Sequence, residues 1–177
     1  MKDKCIRKIE TRQSIRRFTG DSIPEGEILE IIKIGLSAPS AGNKQPWRIV
    51  LVTDEDLKEQ LATAAMGQSF LIQAAVVLVI CAVPQESAER YGERGSSLYA
   101  FQDTAALIQN ILLASHMSGY GTCWVGAFDE SEVSRVLNIP KSMRPVALIP
   151  IGIIAGDLPN PRPRKQISEI LIRESFS

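Results

Sequence analysis

The chain has 177 residues, the length of one ordinary domain, and 45% of them are apolar, which is enough for a sizeable core. Its 20 basic and 20 acidic side chains cancel to a formal net charge of +0, so no general attraction to nucleic acid or to an anionic membrane is expected. No apolar run approaches the length of a membrane span, the first residues are charged, and the three cysteines form no close pair, so we expect a cytoplasmic protein without a disulfide framework.

The first part of the chain predicts two helices before any strand. Two isoleucines at helical spacing near the start suggest a short first helix. A second helix is expected within residues 22–36, where Ser22 and Glu25 resemble a capping box and Pro24 suits a first turn. Apolar residues recur at helical spacing along this segment, and Pro39 is expected to end the helix.

Two strands and the helical segments between them follow. Trp47–Val52 predicts a strand, and Val76–Ala82 is a continuous apolar run rich in β-branched residues, which is typical of a strand buried on both faces. Residues 54–65 have the pattern of an amphipathic helix with an acidic start, and residues 66–75 favour a short helix. Residues 84–97 are polar and predict a mobile surface segment.

The second half of the chain predicts a long buried helix, a shorter helix and a last strand. Residues 98–117 are apolar nearly all round, so this helix must be buried on most sides, and a partner subunit could supply part of the cover. His116, the sole histidine, is expected to be packed or at an interface rather than to bind a metal. Residues 129–137 predict a helix that ends before Pro140, and residues 145–155 predict a strand.

The end of the chain is expected to be an arm. Prolines disfavour a helix in residues 156–166, which should be extended, and residues 167–177 suggest a short helix or strand. Helices therefore separate a few strands throughout. The expected fold class is α+β: a single layered domain, residues 1–177, with a central sheet flanked by helices.

Basic residues in non-helical segments are the best candidates for chemistry, because the chain has no Gly-x-Gly-x-x-Gly, Walker or Gly-x-Ser-x-Gly motif. In "TRQSIRRF", Arg12, Ser14 and Arg16 alternate, so on an extended segment they share one face. Arg162 and Arg164 alternate in the same way on the arm. Each pair alone also fits a solvated basic segment, but together they could clamp one dianionic phosphate.

Two further stretches carry small or backbone-shaping residues. "SAPSAGNKQPW", before the first strand, is rich in such residues but contains no obvious acid, base or nucleophile. "GTCWVGAFDE" has small residues at Gly126 and Ala127 that would let a planar ligand approach the backbone. An ordinary interhelical loop with a packed tryptophan is the alternative for the second stretch.

The order and spacing of these stretches resemble the flavin-dependent nitroreductase family over nearly the whole chain. The resemblance is carried by "RQSIRRF", "APSAGNKQPW", "YAFQDTAALIQNILLASHMSGYGTCWVGAFD" and "PRPRK". It implies a homodimer with one FMN at each of two sites between the subunits, reduced by NADH or NADPH. It also implies a mixed or antiparallel sheet and a C-terminal arm that is exchanged across the dimer.

The resemblance assigns the two basic segments to the flavin. The FMN phosphate would be bound by alternating basic and polar residues from both ends of the chain: Arg12, Gln13, Ser14, Arg162 and Arg164. Arg16 would place a positive charge near the N1 and O2 edge of the flavin and so tune its reduction potential. No dedicated catalytic residue is implied, because the flavin carries the chemistry.

The resemblance assigns the loop before the first strand to the opposite wall of the site. Pro39, Ser40 and Ala41 would come from the other subunit and pack on the ring or the ribityl chain. Asn43 and Gln45 would offer amide contacts, either to the flavin or to hold the loop.

Two positions near the ring complete the implied site. Gly126 and Ala127 match the turn whose backbone N–H faces flavin N5. Gln68 stands where larger family members carry a basic residue, which weakens the electron-withdrawing field.

The same resemblance implies the activity. We expect an FMN-dependent oxidoreductase that uses NADH or NADPH to reduce nitroaromatic, quinone or similar acceptors by a ping-pong mechanism. Alternatives on the same fold are reductive dehalogenation, flavin fragmentation, or a non-catalytic flavin-binding or sensing module. Tyr91, Arg94 and Tyr99 lie in the only candidate lid and could contact substrate or nicotinamide, although an ordinary surface loop fits as well.

Overall fold

A four-stranded antiparallel sheet forms the centre of the protein. The structure, a computed structural model, describes residues 4–176 and the side chains from residue 6 onward. The strands lie in the order β1-β2-β4-β3: β1 (Trp47–Val52), β2 (Val76–Ala82), β3 (Gly121–Thr122) and β4 (Arg144–Gly152). Val79 of β2 faces Val50 on one side and Leu148 on the other. Within the described residues, parallel pairing is limited to an isolated bridge between Ser14 and Thr122.

Helices surround this sheet. They are α1 (Lys4–Thr11), α2 (Glu25–Gly35), α3 (Glu55–Ala64), α4 (Pro84–Arg94), α5 (Ala100–Met117), α6 (Glu130–Val136) and α7 (Ile167–Ile170). Short 3₁₀ turns lie at Ala41–Asn43 and Ser69–Leu71, and a π-helical turn at Gly95–Tyr99 joins α4 to α5. The expected α+β fold is therefore confirmed, and no described helix is long and apolar enough to cross a membrane.

The central strand β2 explains the two-sided core. All seven of its residues are buried, and they alternate between the two faces of the sheet. Val77 and Val79 belong to a cluster with Leu61 of α3, whereas Leu78 belongs to a second cluster with Ile111 of α5. A continuous apolar run is what a strand covered on both faces requires.

The predicted capping box at the start of α2 is wrong. The helix begins at Glu25, so Ser22 lies too far upstream to reach the free N–H groups of the first turn. Pro24 is the residue that precedes the helix rather than one within its first turn, and its carbonyl accepts from the N–H of Glu27 and Ile28. The helix ends at Gly35, before Pro39 as expected.

The polar segment after β2, for which no helix was predicted, is helical. Pro84 occupies the first turn of α4, where a missing N–H costs nothing, and the π-helical turn continues into α5. Gly92 adopts a left-handed φ of 57° and interrupts α4. The rings of Tyr91 and Tyr99 meet at a centroid distance of 5.2 Å and an angle of 82°, so this candidate lid is an ordered helical element.

The long helix α5 is covered mostly by its own chain. Leu107, Ile108 and Ile111 are fully buried, and Gly35 of α2 lies so close that a Cβ there would be 2.6 Å from Ile111 Cγ1. Only its last residue, Met117, is a strongly exposed large apolar side chain at 46%. The expected half-covered face of this helix is therefore not found in the described structure.

Exposed apolar side chains concentrate at the two ends of the chain and on α2 instead. They are Ile6, Ile9, Leu29, Ile34, Leu158, Ile167, Ile170, Leu171, Ile172 and Phe176. The arm, residues 156–166, is irregular as expected, and α7 follows it as the expected short helix. All described residues after 155 are exposed, so the arm makes little contact with its own domain.

Lys58 is a buried cation that joins α3 to the entry of β2. The residue is only 3% exposed, and its Nζ donates to Glu55 Oε1 at 3.0 Å and to the carbonyls of Ile72 and Ala74 at 3.1 and 3.0 Å. The three ammonium protons are thus satisfied, which a buried charge requires.

We predict that Lys58→Met lowers the free energy of unfolding by about 2–4 kcal/mol, because two buried carbonyls lose their donor while the side-chain volume is kept. Lys33→Met is the control, since Lys33 is exposed and forms only a surface ion pair with Glu30. Urea denaturation of both variants measures the difference, and equal losses would show that the buried contacts add nothing.

Candidate functional site

A basic cleft between the N-terminal segment and the arm is the strongest candidate site. Its volume is about 260 Å³, and it is lined by residues from both ends of the chain: Arg12, Gln13, Ser14, Arg16, Pro159, Asn160, Arg162 and Arg164. Folding thus brings the two alternating arginine pairs of the sequence together within one chain. Pro159 and Asn160 were not predicted, and only their position in the proline-rich arm could have indicated them.

The N-terminal wall of the cleft is fastened by two buried side chains, Ile15 and Phe18. A Cβ at Gly121 would lie 2.8 Å from Ile15 Cγ2, and one at Gly152 would lie 2.7 Å from Phe18 Cδ1, so both contacts require glycine. The Ile15 N–H also donates to the Thr122 carbonyl at 2.8 Å. Because alternate residues of an extended segment face opposite ways, burial of Ile15 turns the residues on either side of it toward the cleft.

The cleft concentrates positive charge without a neutralising partner. Among the described residues, no carboxylate lines it and its four arginines form no ion pair. Arg164 Nη1 makes only long hydrogen bonds to the Arg162 and Pro163 carbonyls, at 3.3 and 3.4 Å. An acidic residue, Asp157, lines a neighbouring cavity of about 250 Å³ that also touches Arg16. This donor set suits an anion with several oxygens, such as a phosphate.

Arg16 links the cleft to a second group of predicted residues. Its guanidinium carbon lies 6.0 Å from the centroid of the Phe70 ring, a residue that sequence reasoning missed. Beneath it, burial raises the pKa of the Cys123 thiol, an effect that the charges of Arg16 and Arg12 partly oppose. Cys123 is free and buried, as is Cys81, whose pKa burial raises to about 11, so neither thiol is a ready nucleophile.

Gln68 connects the turn at Gly126 and Ala127 to the rest of the domain through hydrogen bonds. Its Nε2 donates to the Ala127 carbonyl at 3.2 Å and to the Ala65 carbonyl at 2.9 Å. Gly126 and Ala127 are exposed, and a Cβ at Gly126 would come no closer than 3.9 Å to Trp124 Nε1. Packing within the chain therefore does not explain why a glycine stands there.

The loop before β1 is held by its own polar side chains. Ser40 Oγ accepts from the Gln45 N–H at 3.0 Å, and Gln45 Nε2 lies 3.3 Å from Asn43 Oδ1. Gly42, Asn43 and Gln45 all have left-handed φ angles, of 56°, 56° and 50°. In the single chain, the amides of Asn43 and Gln45 thus serve to hold the loop, the second of the two roles expected for them.

Asp103 of α5 anchors this loop and was missed from the sequence. Its carboxylate is 8% exposed and accepts the Ala41 N–H at 3.1 and 3.2 Å. Burial raises its pKa, and the Ala41 hydrogen bond acts in the opposite direction. A lone carboxylate in an otherwise apolar helix was the signal that could have indicated it.

The two halves of the predicted site do not meet within one chain. No residue of the Pro39–Gln45 loop lines the basic cleft, and Gln45 instead lines a separate cavity of about 670 Å³ with Lys44 and Arg48. The roles that the resemblance gave to these residues are therefore still predictions.

His116 is packed rather than free. Its Nε2 lies 3.2 Å from Thr11 Oγ1, and that hydroxyl donates to the Arg7 carbonyl at 2.8 Å, so the imidazole N–H is the donor to Thr11. Burial, with help from the charges of Lys8 and Arg12, lowers the pKa of His116 and so favours its neutral form. The described residues contain no cluster of three or more groups that could hold a metal.

Comparison with known proteins identifies relatives along most of the chain. The model of the nitroreductase family matches residues 9–69 and 62–153. An NADH dehydrogenase of Thermus thermophilus is 33% identical and covers 82% of this chain and 84% of its own length. A Clostridium novyi nitroreductase family protein is 30% identical, with a TM-score of 0.78 and 86% of each chain covered. The NADPH:FMN oxidoreductase of Vibrio harveyi, solved with NAD+, is 26% identical, with a TM-score of 0.90 over 99% of this chain and 79% of its own.

The raised pKa of Asp103 predicts a pH-dependent difference in stability. A carboxyl whose pKa is higher in the folded than in the unfolded state favours folding most below its ordinary value of 3.8, and this contribution is lost as the pH rises through the folded pKa. Asp103→Asn keeps an acceptor for Ala41 but carries no charge. We therefore expect the free energy of unfolding of the Asp103→Asn variant, relative to that of the parent protein, to increase as the pH rises from about 4 to about 7.

Urea denaturation across this range measures the effect. Asp56→Asn, the same change at an exposed carboxylate of α3, gives the effect of net charge alone. A stability difference for Asp103→Asn that does not vary with pH would show that Asp103 ionises equally well in both states.

Proposed function

Because the chain belongs to the nitroreductase family, we propose that it is an NAD(P)H-dependent flavin oxidoreductase whose flavin is FMN. A bound flavin would supply hydride acceptance and electron donation, which no side chain can provide. The proposed acceptors are nitroaromatics, quinones or similar planar compounds.

The observation that carries this proposal is the basic cleft. Its donors are guanidinium groups, a hydroxyl and amides, and the chemistry of this set fits the terminal phosphate of FMN, a dianion with three acceptor oxygens. Arg12, Arg162 and Arg164 would hold the phosphate, with hydrogen bonds from Gln13 and Ser14. Arg16, which extends from the cleft toward Phe70, would present positive charge to the ring system.

The other proposed contacts to the flavin come from two segments of small residues, the turn at Gly126 and Ala127 and the loop before β1. The exposed turn at Gly126 and Ala127 offers backbone N–H groups to the ring, and Gln68 fixes its position through the Ala127 carbonyl. Pro39, Ser40 and Ala41 would form the facing wall from a second subunit.

A homodimer is the second part of the proposal, because each chain holds the two halves of the site apart. Exposed isoleucines and leucines on α1, α2 and the arm provide apolar surface for such an interface. The residues after the arm, 167–176, would extend over the partner, while Arg162 and Arg164 stay in the cleft of their own chain. We propose that NAD(P)H and the acceptor then use the same open face in turn, a ping-pong scheme, since the chain has no second nucleotide-binding motif.

We expect Arg164→Ala to weaken FMN binding by more than about tenfold, because one charge-assisted contact to phosphate is lost. Arg135→Ala is the matched control, since Arg135 is exposed on α6 and lines a different cavity. Titration of apoprotein with FMN, followed by the quenching of flavin fluorescence, measures both affinities. Unchanged affinity in the Arg164 variant would remove the cleft from the proposed site.

We predict that replacing Ile170 and Leu171 with aspartate dissociates the dimer and weakens FMN binding, although all cleft arginines remain. The two side chains are 64% and 54% exposed in the single chain, so their loss should not disturb its own core. Met66→Asp, at a residue 73% exposed near α3, is the control. Analytical ultracentrifugation gives the assembly state, and a stable flavin-loaded monomer of the parent protein would refute the shared site.

A further inference from the structure

Four residues of α4 and the π-helical turn form an aromatic–arginine cluster, here defined as Arg90, Tyr91, Arg94 and Tyr99. The Arg90 guanidinium carbon lies 5.5 Å from the Tyr91 ring centroid, and that of Arg94 lies 5.3 Å from the Tyr99 centroid. The two rings contact each other edge to face at 5.2 Å. The cluster is therefore one continuous surface in which two cations flank two half-buried aromatic rings.

The two arginines of the cluster are not neutralised, whereas cations beside them are. Lys44 pairs with Glu89 at 2.8 Å and Arg48 pairs with Glu86, but within the described residues neither Arg90 nor Arg94 forms an ion pair. Arg94 Nε donates to Tyr99 Oη at 2.9 Å. This hydrogen bond fixes the plane of the guanidinium and leaves both Nη nitrogens for an anion.

The cluster is pressed against the loop before β1. A Cβ at Gly42 would lie 2.7 Å from Tyr91 Oη and 2.9 Å from Arg90 Nη1, and the φ of Gly42 is +56°. The positive φ favours glycine, and a Cβ at this position would displace the ends of the Tyr91 and Arg90 side chains. Asp103 fixes the same loop through Ala41, so the cluster lies beside a segment that the proposed function assigns to the flavin.

We propose that the aromatic–arginine cluster binds the phosphorylated adenosine end of the nicotinamide dinucleotide and gives the enzyme a preference for NADPH over NADH. The inference rests on the proposed function, which assigns this loop to the wall of a flavin site at which NAD(P)H reacts. Adenine can pack on tyrosine, and guanidinium groups bind phosphate oxygens in a bidentate manner. NADPH carries one phosphate more than NADH, so two unpaired arginines attract it more strongly.

The test uses FMN-saturated protein, so that the basic cleft is occupied. It compares Arg90→Gln/Arg94→Gln with the charge-matched control Arg135→Gln/Lys141→Gln, at two exposed residues outside the cluster. Both arginines of the cluster are exposed, so the double variant should fold, and its melting temperature verifies this. Calorimetric titration with adenosine 2′,5′-bisphosphate measures binding without turnover. Steady-state KM values for NADPH and NADH measure discrimination.

We expect the double variant to bind the bisphosphate at least about tenfold more weakly and to raise the KM for NADPH by about tenfold, with less than about a threefold change for NADH. Unchanged bisphosphate affinity would overturn the inference. If the double variant instead raised only the KM for an aromatic carboxylate acceptor, with the KM for NADPH unchanged, the inference would also be overturned. The cluster would then be assigned to acceptor binding. Absence of a flavin spectrum and of NADPH oxidation in the parent protein would instead refute the proposed function, and the bisphosphate titration would still decide the cluster.

Discussion

The contact of two buried side chains with glycine backbone is the constraint on which the candidate site depends. Ile15 and Phe18 can approach β3 and β4 only because positions 121 and 152 carry no Cβ. Without that contact, the N-terminal segment would have no fixed orientation, and the alternating basic residues beside Ile15 would not face the arm. The cleft is thus built by packing beneath it rather than by any interaction among its own arginines, which repel one another.

Much of the fold could be predicted from the sequence wherever the burial of apolar side chains alone decides the local structure. β1 and β2 have the predicted bounds, and for β2 the reason is that a strand buried on both faces leaves an uninterrupted apolar run. α4 could not be predicted, since its residues are polar nearly all round and its conformation depends on contacts with the π-helical turn and the loop at Gly42. The motif at Ser22 failed for a related reason, because a four-residue pattern does not fix where a helix begins.

The candidate site, too, could be predicted from the sequence only in part. Alternation along two extended segments predicted that the two arginine pairs could come together, and Arg12, Arg16, Arg162 and Arg164 do line one cleft. Phe70 and Asp103 were missed because their roles depend on neighbours distant in sequence. Asp103 in particular is costly to bury, and its hydrogen bond to the Ala41 N–H helps to explain the position of the loop.

The exposed arm has a consequence for how any ligand of the cleft is bound. Two of the four cleft arginines lie on a segment with every residue exposed, so the chain gains little by ordering that segment alone. Ligand affinity must therefore include the free energy of fixing the arm, and occupation of the cleft must in turn protect the arm from proteolysis. Ligand binding and resistance to cleavage after residue 155 are two measures of a single equilibrium.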